Sequence, residues 1–67
     1  MNERFAGWMA AERLTDRDVA DRLGQDNSYI WMLRNGKRPV TDSFAWKFAK
    51  VYGYRLARKL FDEEAIE

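Results

Sequence analysis

Leu14-Thr15-Asp16-Arg17-Asp18-Val19-Ala20-Asp21-Arg22-Leu23-Gly24, followed by Gln25-Asp26-Asn27-Ser28-Tyr29-Ile30-Trp31-Met32-Leu33-Arg34 and then Asn35-Gly36-Lys37-Arg38, is the segment from which the architecture follows. Thr15 with an acid three residues later has the pattern of a capping box, in which hydroxyl and carboxylate each satisfy a backbone N–H left open at a helix start. Val19, Ala20 and Leu23 then lie on one side of a helix of about eight residues. Gly24 closes that helix, because glycine takes the left-handed conformation without steric cost. Asp26 is placed to cap a second helix, with Ile30 and Leu33 on its apolar side and Asn27, Ser28, Trp31 and Arg34 largely on others. Asn35-Gly36 ends it, and a basic loop, Lys37-Arg38, runs to Pro39.

Outward from this pair, Asn2 is placed to cap a helix whose Phe5, Trp8 and Met9 follow the i, i+3, i+4 spacing of a buried face, ending near Arg13. Downstream, Thr41-Asp42-Ser43 opens a helix carrying Phe44, Ala45, Trp46, Phe48, Ala49 and Tyr52, which Gly53 ends. A last short helix over about Arg55 to Phe61 offers Leu56, Leu60 and Phe61, before an acidic tail too poor in apolar residues to pack. Of the aromatic side chains, Phe5, Trp8, Trp46, Phe48 and Tyr52 are expected in the core, since a small domain needs large side chains to close its interior. Trp31 lies off the Ile30 and Leu33 face, so it is expected either to touch a ligand surface or to cover a partner's.

The 67 residues contain no cysteine and no histidine. Disulfides and thiolate zinc sites are thereby excluded, and the commonest general base and metal ligand are missing. Asp16, Asp18 and Asp21 are better read as a solvated helix face beside Arg17 and Arg22 than as a metal or paired-carboxylate site. No catalytic residue, metal or cofactor is expected. Nor does any apolar run approach the roughly 18 residues that span a bilayer, so no membrane association and a cytoplasmic location are expected. The net charge of +1 hides an asymmetry: Asp62, Glu63, Glu64 and Glu67 all sit in the tail, leaving residues 1–61 with 12 basic and 7 acidic side chains, a net of +5. That surface is compatible with phosphate. Two short helices joined by a three-to-four-residue turn cross at about 90 to 120°, so that the second can enter a major groove while the first lies across the backbone.

Leu14-Thr15, Val19-Ala20, Leu23-Gly24, Ile30, Leu33, Asn35-Gly36-Lys37-Arg38, Ala49-Lys50 and Gly53 together resemble the Cro, phage repressor and XRE-type regulators. The resemblance implies an all-α, compact five-helix, lambda-repressor-like domain over residues 1–61, with its helix-turn-helix core at 15–36 and a tail at 62–67. It implies a recognition helix at about Asn27 to Arg34 and transcriptional control as the activity, typically as a repressor in a bacterial cell or phage-infected host. The family's base-reading positions fall on Asn27, Ser28 and Met32, with Trp31 beside them. Asn27 suits a bidentate pair with adenine, and Met32 a thymine methyl. The candidate phosphate contacts are Arg17, Tyr29, Arg34, Asn35, Lys37 and Arg38.

The chain departs from the family in three places. Many members carry Gln at the start of the first of these helices, where this chain has Asp16, whose charge opposes a nearby phosphate, so Arg17 is expected to take over that contact. Many also pair a basic residue of the amino-terminal helix with an acid at the end of the recognition helix. Here the positions are Met9 and Arg34, which implies an apolar contact or a freed cation. Trp31 and Tyr29 are bulkier than the usual residues.

A module this small reaches only a few base pairs, so a homodimer on a roughly palindromic double-stranded operator is expected. Phe44, Tyr54, Leu56, Leu60 and Phe61 are its candidate interface, as exposed apolar residues near the carboxyl end. No small-molecule ligand is expected. The alternative reading is a helix-turn-helix antitoxin or adaptor that binds a protein partner around Trp31.

Overall fold

In the computed structural model, which describes residues 2–61, the chain forms five helices: α1 Glu3–Ala11, α2 Asp16–Leu23, α3 Asn27–Arg34, α4 Asp42–Tyr52 and α5 Tyr54–Phe61. The described residues contain no strand and fit within 31 × 23 × 22 Å. The acidic tail lies outside them. Among them, no helix is long and apolar enough to cross a membrane.

Most helix starts follow directly from the sequence. The Asn2 side chain accepts a hydrogen bond from the Phe5 N–H at 3.1 Å. Thr15 and Asp18 form the full capping box, Thr15 Oγ1 accepting from Asp18 N at 3.1 Å and Asp18 Oδ2 from Thr15 N at 2.9 Å. Hydrogen bonding to the Thr15 backbone first, and to its hydroxyl second, holds the Asp18 carboxyl below its ordinary value. Thr41 caps α4 through Phe44 N at 3.1 Å. Asp26 is different: it occupies the position before α3, but its side chain makes no capping bond, so that helix starts on backbone geometry alone.

The stops are equally local. Gly24 sits at φ 65° and Gly36 at φ 72°, each in the left-handed conformation that glycine adopts freely. The sequence pattern carries α1 to about Arg13, but the helix ends at Ala11. Arg13 takes φ 57° without being glycine, while its N–H reaches Ala10 O and the Leu14 N–H reaches Met9 O, a Schellman-type closure. α5 begins at Tyr54, one residue before the expected Arg55.

The core gathers Phe5 and Met9 from α1, Val19, Ala20 and Leu23 from α2, Ile30 and Leu33 from α3, Phe44, Phe48 and Ala49 from α4, and Ala57 and Leu60 from α5. Phe5 sits at its centre, with ring centroids 6.2 Å from Phe44, 6.1 Å from Phe48 and 5.3 Å from Phe61, all edge-on. Trp8 and Tyr52 pack against this cluster as expected. Trp46 does not: it is 57% exposed. On a helix that advances 100° per residue, Trp46 lies two positions, or about 200°, from both Phe44 and Phe48, so burying those two turns it to solvent.

The same geometry corrects the expected interface. Phe44 and Leu60 belong to the core of the single chain, and Leu56 and Phe61 are half-buried against it. Only Tyr54 of the five is well exposed, at 56%. A helix end that buries Ala57 and Leu60 also turns their i−1 and i+1 neighbours Leu56 and Phe61 partly inward, so that of the five candidates Tyr54 alone stays outside, beside the exposed Arg55, Arg58 and Lys59.

Candidate nucleic-acid interface

The turn between α2 and α3 spans Gly24, Gln25 and Asp26, and α2 packs on α3 more extensively than on any other helix. Ile30 and Leu33 are completely buried and fix α3 by its inner side. Its outer side is thereby defined: Asn27 and Ser28 are exposed, Trp31 is 45% exposed and Met32 is half-buried. Asn27 and Trp31, and Ser28 and Met32, are each four residues apart and so stand one above the other on neighbouring ridges. All four expected reading positions therefore share one face.

The expected phosphate residues surround that face but differ in freedom. Lys37 and Arg38 are exposed in the loop that follows α3. Asn35 donates from Nδ2 to the Trp31 carbonyl at 2.9 Å, so its amide finishes the helix. Tyr29 is half-buried, its ring 5.8 Å edge-on to Phe44, and the Arg38 guanidinium lies 6.0 Å from its centroid. Tyr29 thus supports the loop cation from below. Arg17 is exposed and lies 3.9 Å from Asp21, a distance and exposure at which an ion pair contributes little.

Arg34 is neither a freed cation nor the partner of an apolar contact. Its Nε donates to Asp16 Oδ1 at 2.7 Å and its Nη2 to Asp16 Oδ2 at 2.9 Å, a two-pronged pair joining the end of α3 to the start of α2. The two side chains retain only 28% and 18% of their exposure. Hydrogen bonding to Asp16 raises the Arg34 pKa above its already high value. The Arg34 carbonyl also accepts from the Asn2 N–H at 3.1 Å, which ties α1 to the same corner. Met9, which stands opposite Arg34 in the family pattern, is buried in the core. Eighteen positions separate Asp16 from Arg34, so no local pattern announces the pair; the only sequence signal is a carboxylate at a position where the family carries an uncharged amide.

On the far side, Trp46 and Tyr54 form an edge-on pair with centroids 5.5 Å apart, beside a shallow cavity of about 310 Å³ also lined by Val40, Ala45 and Phe61. A second groove carries Trp8, Leu56 and Tyr52, with Arg22 5.1 Å over the Tyr52 ring. The Tyr52 hydroxyl is buried without a hydrogen-bond partner, and burial raises its pKa. Among the described residues, no group of three or more carboxylates is placed to hold a metal ion.

A family model described as helix-turn-helix matches residues 9–59, from the second half of α1 into α5. No curated protein and no solved structure matches the chain.

Proposed function

Since the chain belongs to the helix-turn-helix family of Cro, C1 and XRE-type DNA-binding regulators, we propose that it is a Cro-like repressor that binds a roughly palindromic operator as a homodimer. The observation that carries this reading is the division of α3: Ile30 and Leu33 fully buried on one side, Asn27, Ser28 and Trp31 exposed on the other, with Lys37 and Arg38 exposed at its end.

In this mechanism α3 enters the major groove. The Asn27 amide accepts from adenine N6 and donates to N7, Ser28 bonds a neighbouring base edge, and Met32 with Trp31 packs on thymine methyl groups. The capping box uses the Asp18 N–H, which leaves the Asp16 and Arg17 N–H groups at the start of α2 for a phosphate. Lys37 and Arg38 hold the phosphates at the other end of the module. A second copy would meet the first through Tyr54, with Trp46 in place of the buried Phe44 and Leu60, and Phe61 at the margin.

Selection of sites from random duplex DNA, followed by footprinting, tests the whole scheme. Protection of two half-sites about 10 bp apart, centre to centre, is expected; protection of a single half-turn by a monomer would remove the dimer. The exposed Trp31 also suits an adaptor or antitoxin that binds a protein partner. Salt separates the two, because phosphate-dependent binding weakens steeply with ionic strength and an apolar protein contact does not.

A further inference from the structure

The Asp16–Arg34 pair has a role within the proposed DNA-binding mode, on which this inference rests. Arg34 is the last residue of α3 and Asp16 the first of α2. The guanidinium uses both Nε and Nη2 on the carboxylate, at 2.7 and 2.9 Å, which is the strong, planar form of this interaction. A guanidinium engaged in this way has most of its charge answered inside the protein. It therefore releases few counterions from DNA, and counterion release is the sequence-independent part of affinity. The bidentate geometry also fixes the end of α3 against α2, and with it the angle at which Asn27, Ser28 and Trp31 are presented.

We propose that Asp16 is a specificity-determining residue, which withholds Arg34 from DNA phosphates and holds α3 in register, lowering affinity for random duplex relative to the operator. Without it, Arg34 would join Lys37 and Arg38 as a third cation at the end of the recognition helix. Grip would increase and discrimination would fall. The Thr15–Asp18 capping box does not involve the Asp16 side chain, so α2 retains its start when Asp16 is changed.

The test compares wild type, Asp16→Asn, Arg34→Met and the double variant on random-sequence duplex and on the selected operator, across a salt series, with melting followed by circular dichroism. Asp16→Asn should bind random duplex about 3- to 10-fold more tightly at low salt, with a salt slope steeper by about 0.9 per protomer, and its operator preference should fall. Arg34→Met, which strands a carboxylate near phosphate, should weaken both. The double variant restores the net charge, so its random-duplex affinity and slope should return toward wild type while operator preference stays low. A purely structural role for the pair predicts instead that Asp16→Asn loses both affinities together, with a lower melting temperature and an unchanged slope; that result overturns the proposal and leaves DNA binding intact. Absence of any salt-dependent duplex binding by wild type overturns the DNA-binding reading itself, and this inference with it.

Discussion

The α2–α3 pair and the α4–α5 pair are built to similar length and to opposite plans. In the first, apolar and polar residues alternate sharply: the buried residues of α2 and α3 are aliphatic, and their outer sides are Asp, Arg, Asn and Ser, interrupted by one exposed indole, Trp31. In the second, aromatic residues occupy both sides, Phe44, Phe48 and Phe61 facing inward and Trp46 and Tyr54 outward. The contrast shows that helical periodicity identifies a buried face only where something polar marks the other one. Where aromatic residues lie on both sides, the phase must be set by which residues are spaced together and by where the charges fall, here Lys47 and Lys50 on the side of Trp46.

The largest effect expected from this comparison sets Phe48 against Trp46, two aromatics two residues apart. Phe48→Ala opens a hole in a fully buried site and should cost about 3–5 kcal/mol, a large share of the stability of a domain this size. Trp46→Ala should cost less than about 1 kcal/mol, the worth of its edge-on contact with Tyr54, and should instead weaken self-association. Urea unfolding and sedimentation of both variants measure the two quantities. Equal destabilisation would mean that the outward side of α4 is part of the core.

On the other pair, the outer face of α3 is where reading is expected. Asn27→Ala should cost about 1–3 kcal/mol per half-site on the operator and little on random duplex. Lys37→Ala and Arg38→Ala should weaken both DNAs alike and reduce the salt slope by about 1 for each phosphate no longer neutralised. If Asn27→Ala left the operator preference unchanged, or if Trp46→Ala lowered it as much at protein concentrations where that variant is still dimeric, the functional division between the two pairs would fail.

These pairs also differ in how legible they are in the sequence. Thr15 with Asp18, Gly24 and Asn35-Gly36 each act within four or five residues of chain, so both limits of α2 and the end of α3 follow from local chemistry, while the start of α3 has no side-chain cap. Size alone places Trp46 in the core, although its two-residue offset from Phe44 and Phe48 argues against that. The Asp16–Arg34 pair is out of reach for another reason: it depends on where two helices meet, and no spacing along the chain encodes the contact. Arg13 belongs with it, since a left-handed residue other than glycine carries no composition signal. The five-helix plan and the outer face of α3 are thus readable, while the electrostatics of that face are not.

A smaller effect tests whether the capping residues are as local as they look. Thr15→Ala removes the hydroxyl half of the box and keeps the backbone half, and should cost about 1 kcal/mol. The cost should also depend on pH. The stability tied to the lowered Asp18 carboxyl is present above the ordinary aspartate range and lost as pH falls through the folded value. Without the hydroxyl that carboxyl is lowered less, so the gap between wild type and variant should narrow in acid. Asp26→Ala, at a position with no capping bond, should change stability by less than about 0.5 kcal/mol. A loss at Asp26 as large as at Thr15 would show that α3 draws on a side-chain cap in solution.

The smallest expected effect lies at the seam between the two pairs, where Tyr52 of α4 meets Arg22 of α2. The Tyr52 hydroxyl is buried with no partner, and an unsatisfied polar atom in that position opposes folding by its lost hydration. Tyr52→Phe deletes that atom and keeps the ring under the Arg22 guanidinium and against Trp8 and Phe48. Stability at neutral pH should therefore be unchanged or higher by up to about 1 kcal/mol. Alkaline pH provides an internal check. Burial raises the folded-state pKa of Tyr52, so wild-type stability is unaffected below the ordinary tyrosine range and falls as pH rises from the unfolded value through the folded one, because the unfolded chain ionises first. The Phe variant lacks that contribution and should lose less stability over the same interval. Destabilisation by Tyr52→Phe at neutral pH, with an alkaline profile parallel to wild type, would mean that the hydroxyl has found a partner, and that the seam is held by a hydrogen bond as well as by the stacked cation.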